Sequence, residues 1–184
     1  MLKRLIESGN TVFSTEDLAK ILQIESKNYL ALVVYRMVKR GEIKRVKKGL
    51  YILHERYNIL ELANKLKRPS YVSFEYILFK KGLIFQDFSN IITSASNNTL
   101  SFSLNGRIFK YFKLKDAILS NPIGIEREEN VSVASIERAL CDTIYLRGNI
   151  YVDNLNPINK ELFLKIAEGY NKRVLNYAKR LCSK

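Results

Sequence analysis

Residues 14–53 combine two short helical patterns with a basic hairpin pattern, and this order restricts the fold more than any other feature of the chain. Ser14 is followed three residues later by Asp17, which is the capping-box spacing that begins a helix. Ser26 is suited to cap a second helix that ends at Gly41. The apolar stripe of this second helix consists of Leu30, Val33, Val34 and Met37. Two helices joined by a very short turn predict a helix-turn-helix, in which the second helix is the one that enters a DNA major groove.

The segment from Gly41 to Leu53, GEIKRVKKGLYIL, predicts a hairpin directly after the second helix. The pattern favours one strand over residues 43–46, a turn over residues 47–49 and a second strand over residues 50–53, with Gly49 available for a positive φ. Seven basic residues and one acid, Glu42, lie between Arg36 and Lys48. A hairpin with this charge beside a helix-turn-helix predicts the wing of a winged helix, placed to bind phosphates.

The outer face of the second helix and the hairpin supply the candidate binding residues. Asparagine and arginine read base edges, lysine binds phosphates, and alanine permits close approach to a thymine methyl group. The residues predicted to contact DNA are Lys27, Asn28, Ala31, Tyr35, Arg36, Lys39, Lys44, Arg45, Lys47 and Lys48. Asn28, Tyr35 and Arg36 are expected to approach base edges while the wing clamps phosphate. An ordinary solvated helix face and a solvated turn are the alternative interpretation, and the combination of both features favours DNA binding.

Charge and hydropathy limit the partners and the location of the protein. The formal charge of +13 over 184 residues attracts polyanions, chiefly nucleic acid or an anionic membrane surface. The longest apolar runs are shorter than the roughly 20 residues of a membrane-spanning helix, and the amino terminus has no secretory-signal pattern. We therefore expect a cytoplasmic protein without a membrane partner. Cys141 and Cys182 are isolated, which indicates neither a disulfide framework nor a zinc site.

The rest of the chain predicts a second domain, and we expect a boundary between residues 1–56 and residues 57–184. A helix in the second part ends at Arg68-Pro69, and a later helix is predicted to begin at the cap Ser73. Alternating segments and the Asn105-Gly106 turn signal predict a small antiparallel sheet. Ser135 opens a further helix, and the chain finishes in a basic amphipathic helix or helix pair. The predicted fold class is α+β, an amino-terminal winged helix-turn-helix followed by an α+β domain.

Two blocks of the second part, RPSYVSFEYILFKKGLI and SVASIERALCDTIYL, resemble the antitoxin domain of the AbiEi family. The first block matches that family's pattern at Pro69, Ser70, Tyr71, Val72, Ser73, Glu75, Leu78, Gly82, Leu83 and Ile84. The second block matches it at Glu137, Ala139, Leu140, Asp142 and Tyr145. The departures are mild: Phe74 and Cys141 stand where leucine is usual, and Arg138 stands where lysine is usual. Family members also resemble this chain in having an amino-terminal winged helix.

The resemblance implies a transcriptional autorepressor that is also the antitoxin of a type IV system. The implied partners are double-stranded DNA, with inverted repeats in its own promoter bound by two copies, and a nucleotidyltransferase toxin encoded beside it. Two alternatives stay open. One is a plain winged-helix regulator whose second domain senses a ligand or dimerises, and the other is an RNA-binding or toxin-modifying accessory protein. The latter would act through basic residues near the carboxy terminus, namely Lys165, Lys172, Arg173, Lys179 and Arg180.

Catalysis, cofactors and metals are not expected. The chain contains no phosphate-binding loop motif, no zinc-protease motif and no nucleophile-elbow motif. Its one histidine, His54, follows the second wing strand and is predicted to be a surface or boundary residue. Glu75 and Glu137 are expected to have structural roles, since two carboxylates without a nucleophile or metal set are poor grounds for catalysis. Arg138 and Asp142 have the spacing of an ion pair on one helix face.

Overall fold

The structure is a computed structural model that describes residues 1–53 and 57–183. It is α+β and divides into two compact units, Met1–Leu66 and Lys67–Lys184. His54 lies outside the described residues. The elements of the first unit are α1 (Leu2–Glu7), β1 (Val12–Ser14), α2 (Thr15–Leu22), α3 (Lys27–Lys39), β2 (Lys44–Lys47), β3 (Leu50–Ile52) and α4 (Ile59–Leu66).

Local signals define α2 and α3 as predicted. The Ser14 side chain accepts a hydrogen bond from the Asp17 amide, and the Asp17 carboxylate accepts one from the Ser14 amide, which completes the capping box. The Ser26 hydroxyl accepts a hydrogen bond from the Tyr29 amide at 3.3 Å and begins α3. The predicted stripe is buried and packs with α1, β1 and α2 in one core that includes Leu5, Phe13, Leu18, Leu30, Val33, Val34 and Met37. The outer side of α3 is thereby left to solvent.

The predicted hairpin is present as β2 and β3. The strands of this unit form an antiparallel sheet in the order β1-β3-β2, with Arg45 opposite Tyr51 and Lys47 opposite Leu50. Gly49 has φ +78° in the turn, a conformation that favours glycine. Since Leu50 and Ile52 are buried while Lys44, Arg45 and Lys47 are exposed, the hairpin presents its basic side chains outward.

Helix α4 belongs to the first unit, so the division of the structure falls after residue 66 and not after residue 56 as the sequence suggested. Lys65 on α4 is 7% exposed, and its ammonium lies 3.0 Å from the carboxylates of both Asp17 and Glu61. Glu61 in turn accepts hydrogen bonds from the amide and hydroxyl of Thr11, at 2.9 and 2.6 Å. These long-range contacts attach α4 to β1 and α2, and the amphipathic pattern of α4 contains no sign of them.

The second unit contains one sheet in which some neighbouring strands are parallel and others are antiparallel. Its elements are β4 (Ser70–Val72), α5 (Glu75–Lys80), β5 (Ile91–Ser96), β6 (Leu100–Leu104), β7 (Arg107–Lys113), α6 (Asp116–Leu119), β8 (Ile125–Glu128), β9 (Val131–Ala134), α7 (Ile136–Arg147), α8 (Lys160–Ala167) and α9 (Lys172–Cys182). The prediction of a small antiparallel sheet is wrong. The sheet has six strands in the order β6-β7-β5-β4-β9-β8, and the pairs β4–β9 and β5–β7 are parallel. Alternation reveals strands but not their partners, and parallel partners are distant in sequence.

Turn and cap signals of this unit were correct with one exception. Asn105 and Gly106, with φ of 50° and 75°, join β6 to β7 as predicted. The Ser135 hydroxyl accepts a hydrogen bond from the Arg138 amide and caps α7. Ser73 does not cap α5. The cap position is Phe74, with φ +62° and no side-chain cap, because the Ser73 hydroxyl donates instead to Asp142 on α7.

Candidate nucleic-acid interface

The exposed face of α3 carries the side chains that were predicted to read DNA. Each of the six is solvent-exposed, and Tyr35 is 64% exposed although it is a large aromatic residue. The six are Lys27, Asn28, Ala31, Tyr35, Arg36 and Lys39. The four basic residues of the hairpin, Lys44, Arg45, Lys47 and Lys48, are also exposed. Burial of the stripe on one side of α3 explains why these polar groups lie together on the other.

A groove of about 670 Å³ joins α3 to the hairpin within the first unit. Lys27, Ala31 and Tyr35 line it from α3, and Arg45 and Lys48 line it from the hairpin. The other predicted residues, Asn28, Arg36, Lys39, Lys44 and Lys47, are exposed outside this groove. Helix and hairpin thus form one concave surface with cations on both sides.

The groove also contains residues that the sequence interpretation missed. Glu16 and Glu25 also line it, and Ile24, Val38 and Tyr51 supply apolar lining. The two acids repel phosphate and so oppose part of the attraction that Lys27, Arg45 and Lys48 exert on a polyanion. Glu16 lies in the first turn of α2, which was not predicted to contribute to the binding surface. Glu16 directly precedes Asp17 of the capping box, and this position was the sequence signal that the Glu16 side chain points outward.

The basic residues near the hairpin are not equivalent. The Lys47 ammonium donates a hydrogen bond to the Leu66 carbonyl oxygen at 3.1 Å, and partial burial lowers the pKa of this ammonium. Arg40 forms an ion pair with Glu42 at 2.8 Å, so the single acid of the basic run has a cation beside it. Lys48 is exposed at the turn and lines the groove. Lys48 is therefore better placed than Lys47 to approach a phosphate.

The residues that carry the family resemblance surround a buried polar network in the second unit. The carboxylate of Asp142, which is fully buried, accepts hydrogen bonds from three hydroxyl groups. Ser73 donates at 2.7 Å, Tyr170 at 2.6 Å and Tyr71 at 3.0 Å. Arg138, also 0% exposed, lies 3.6 Å from the same carboxylate, so the predicted ion pair is present.

Arg138 uses its remaining donors to hold neighbouring segments of the chain. It donates to the Tyr71 hydroxyl and to the carbonyl oxygens of Asn121, Ile123 and Ile118. Burial raises the pKa of Asp142, and the Arg138 charge and the three hydroxyl donors oppose that rise. Burial acts to lower the pKa of Arg138, but Asp142, Tyr71 and Tyr170 together outweigh burial, and the pKa of Arg138 is raised. Because Arg138 and Asp142 are both 0% exposed, we assign this pair a structural role.

Glu75 and Glu137 do not share a site. The Glu75 carboxylate lies 3.0 Å from the Arg147 guanidinium, whereas the Glu137 carboxylate accepts the Asn159 amide at 2.8 Å, near the start of α8. Each acid therefore has its own structural partner. No group of three potential metal ligands occurs among residues 1–53 and 57–183.

The basic carboxy-terminal segment is a helix pair, α8 and α9. Its inward residues Phe163, Ile166, Val174, Tyr177 and Leu181 are buried as predicted, while the predicted inward residue Tyr170 is only half-buried. Lys165, Lys172, Arg173, Lys179 and Arg180 are exposed. Arg173 donates to the Tyr145 carbonyl oxygen at 2.6 Å. Within the described part of the chain, no helix has the length and apolar character needed to cross a membrane.

Residues 1–54 match the model of a family described as "Transcriptional regulator, AbiEi antitoxin". This is a class of transcriptional regulators and antitoxins, and the match confirms the resemblance inferred from the sequence. The matched segment contains α1–α3 and the hairpin, whereas the blocks that first indicated the family lie in the second unit. The two observations are therefore separate.

Among solved structures, the chain is similar to the "Crystal structure of RV2827C protein from Mycobacterium tuberculosis", with a TM-score of 0.50 and 11% sequence identity. The similarity covers 99% of this chain and 74% of that chain. At this identity the likeness shows the fold alone, and it includes both units. No curated protein matches the sequence.

Proposed function

We propose that the first unit is a winged-helix DNA-binding domain and that the protein is a transcriptional repressor of its own operon. One observation carries the proposal: α3 and the β2–β3 hairpin place Lys27, Ala31, Tyr35, Arg45 and Lys48 on the walls of a single exposed groove. A helix and a basic hairpin that flank one concavity have the arrangement needed to enter a major groove and bind the adjacent backbone. The family match over residues 1–54 supports the same assignment.

In the proposed complex α3 lies in the major groove. Asn28, Tyr35 and Arg36 approach base edges, where asparagine pairs with adenine and arginine with guanine. Arg45 and Lys48 neutralise phosphates, which supplies affinity without sequence choice. One such domain covers a half-site, so repression uses two copies on an inverted repeat in the promoter.

We further propose that the protein is the antitoxin of a nucleotidyltransferase toxin encoded by a neighbouring gene, and that it is a cytoplasmic binding protein with no catalytic activity. The family description supports the antitoxin role. The enclosed Arg138–Asp142 network supports a structural core in the second unit, with any toxin-directed function on its surface. Co-expression of the adjacent gene tests this part: the toxin should arrest growth alone and not when this protein is present.

A plain regulator without a toxin partner is the second candidate. The exposed α3 face and the groove support a plain regulator as well as they support an antitoxin, because both features bear only on DNA binding. The adjacent reading frame separates the two candidates: a nucleotidyltransferase with paired acidic metal ligands supports the antitoxin. Its absence supports the plain regulator.

Fluorescence anisotropy tests the DNA-binding proposal. The full chain is titrated onto a duplex from upstream of its own gene and onto a scrambled duplex, at two salt concentrations. We expect a preference for the upstream duplex of about 4–10 kcal/mol that persists at the higher salt. Equal binding to both duplexes that disappears with salt would contradict specific recognition. Tighter binding to a single-stranded RNA than to either duplex would contradict a DNA regulator.

Arg36→Ala is the variant that reports base reading. It should remove about 1–3 kcal/mol of the preference for the upstream duplex if Arg36 contacts a base. Lys3→Ala is the matched control, since Lys3 is exposed on α1 and its loss changes the charge of the same unit by the same amount. An equal effect of both variants would show that charge alone accounts for binding.

A further inference from the structure

The six-stranded sheet of the second unit ends in two edge strands of different character. Strand β8, at one edge, contains Glu126, Arg127 and Glu128, and charges of this kind protect an edge from pairing with other chains. Strand β6, at the other edge, has the sequence LSFSL over Leu100–Leu104 and contains no charge and no proline. Within the described residues no further strand lies beside β6. Strand β6 therefore lacks the protection that β8 has.

The register of the β6–β7 hairpin defines which backbone groups point outward. The two-residue turn Asn105-Gly106 is flanked by the pair Leu104 and Arg107. Residues that flank a two-residue turn form a hydrogen-bonded pair, and hydrogen-bonded pairs alternate along an antiparallel ladder. Leu104, Phe102 and Leu100 thus bond to β7. The amide and carbonyl groups of Ser101 and Ser103 point to the open side, and both serine side chains are exposed.

The sequence of β6 reads the same in both directions, so a second copy of β6 is a suitable antiparallel partner. In antiparallel pairing of two copies centred on Phe102, Ser101 lies opposite Ser103 of the second copy, and each leucine lies opposite a leucine. Both members of each serine pair present outward amide and carbonyl groups, so four backbone hydrogen bonds form and every outward group of the two serines is used. We propose that β6 is a self-association surface that joins two copies of this chain through a continuous twelve-stranded sheet.

The side chains of β6 suit this register. Leu100, Phe102 and Leu104 are half-buried on one face, so pairing covers their remaining apolar surface. Phe102 packs edge-to-face on Tyr111 of β7 at 6.0 Å between ring centroids, which holds its ring on this face of the sheet. Lys110 on β7 is separated from its counterpart by three strand spacings, roughly 14 Å. That distance exceeds the Debye length of about 8 Å at physiological ionic strength.

The interface is small, and a strand pair alone buries less than the roughly 1,200 Å² or more of a typical stable complex. We therefore expect reversible dimerisation in the micromolar range or weaker. The inference does not rest on the proposed function, because dimerisation is measured in the absence of DNA. A repressor that uses an inverted repeat would gain affinity from it.

Sedimentation velocity of the full chain over a wide concentration range tests the proposal. We expect a monomer–dimer equilibrium for the wild type. The double variant Ser101→Lys/Ser103→Lys should weaken dimerisation at least about tenfold, because it places like charges directly opposite each other in two cross-strand pairs. Both side chains are exposed, so the fold of the monomer should be retained. Asn176→Lys on the exposed face of α9 is the control for added charge and should dimerise as the wild type does.

A mixing experiment tests whether the serines of the two β6 strands lie opposite each other. The variant Ser101→Glu/Ser103→Glu should also be monomeric by itself. An equimolar mixture with the lysine variant should form a heterodimer, since the introduced lysines of one chain lie opposite the introduced glutamates of the other. A monomeric wild type at all concentrations would overturn self-association. Dimerisation of the lysine variant with unchanged affinity would place the interface elsewhere and also overturn the proposal.

Discussion

Lys47 and Lys48 are adjacent in the chain but differ in their surroundings. The Lys47 ammonium is hydrogen-bonded to the Leu66 carbonyl oxygen, and the Lys48 side chain lies at the groove. From the sequence the two are interchangeable wing cations. The difference arises because the end of α4 lies beside the hairpin and accepts the Lys47 hydrogen bond. We therefore expect Lys48 to contribute more than Lys47 to phosphate binding.

We expect Lys48→Ala to weaken binding to all duplexes alike and to reduce the slope of log K against log salt by about 0.9, the loss of one phosphate contact. Lys47→Ala should change the slope less, because its ammonium already has a protein partner. Anisotropy titrations at four salt concentrations measure both slopes. Identical slopes for the two variants would show that the Lys47 hydrogen bond opens on binding DNA.

At the scale of elements, the buried network connects α7 to β4 and to the segment after α8. Tyr170 lies between α8 and α9, and its hydroxyl donates to Asp142 at 2.6 Å. Tyr177, on α9, donates to the carbonyl oxygen of Ile150 at 2.6 Å. The two tyrosines are therefore matched in hydrogen-bond length and differ in the charge of the acceptor.

We expect Tyr170→Phe to destabilise the second unit by about 1.5–3 kcal/mol, because hydrogen bonds to charged acceptors contribute that much. Tyr177→Phe should cost about 0.5–1.5 kcal/mol, since its acceptor is a neutral carbonyl oxygen. Hydrogen exchange of the α7 amides measures the free energy of opening for each variant. Equal losses, or a larger loss for Tyr177→Phe, would contradict the central role of Asp142.

At the scale of the whole molecule, the two units are proposed to divide the work of one repressor. The first unit reads a half-site through α3, and the second brings in another copy through β6. The net charge of +13 favours binding to DNA and opposes dimerisation of the protein. Salt should therefore weaken DNA binding and strengthen dimerisation.

A dimer joined through β6 should prefer half-sites at one separation. Inserting about five base pairs between the half-sites of the upstream duplex rotates one of them to the opposite side of the helix, and inserting about ten restores its direction. We expect the first change to weaken binding at least about tenfold and the second to weaken it less. Gel-shift titrations of the three duplexes measure this, and equal affinities would indicate that the two copies bind independently.

Local signals were sufficient wherever the structure depends on near neighbours. The Ser14 capping box, the Ser26 cap, the buried stripe of α3, the β2–β3 hairpin and the Asn105-Gly106 turn were all predicted, because each is decided by residues within a few positions. The exposure of the candidate DNA-binding residues followed from the same periodicity, since a helix that buries one stripe exposes the opposite one.

Long-range contacts decided the remainder. The attachment of α4 depends on Lys65 reaching Asp17, and the failure of Ser73 as a cap depends on Asp142, 69 positions away in the chain. The parallel pairs of the sheet likewise join segments that no local pattern connects. The sequence by itself determined which elements form. Only the tertiary structure decided their partners, because buried charges and strand edges are satisfied by whichever groups the packed chain brings near them.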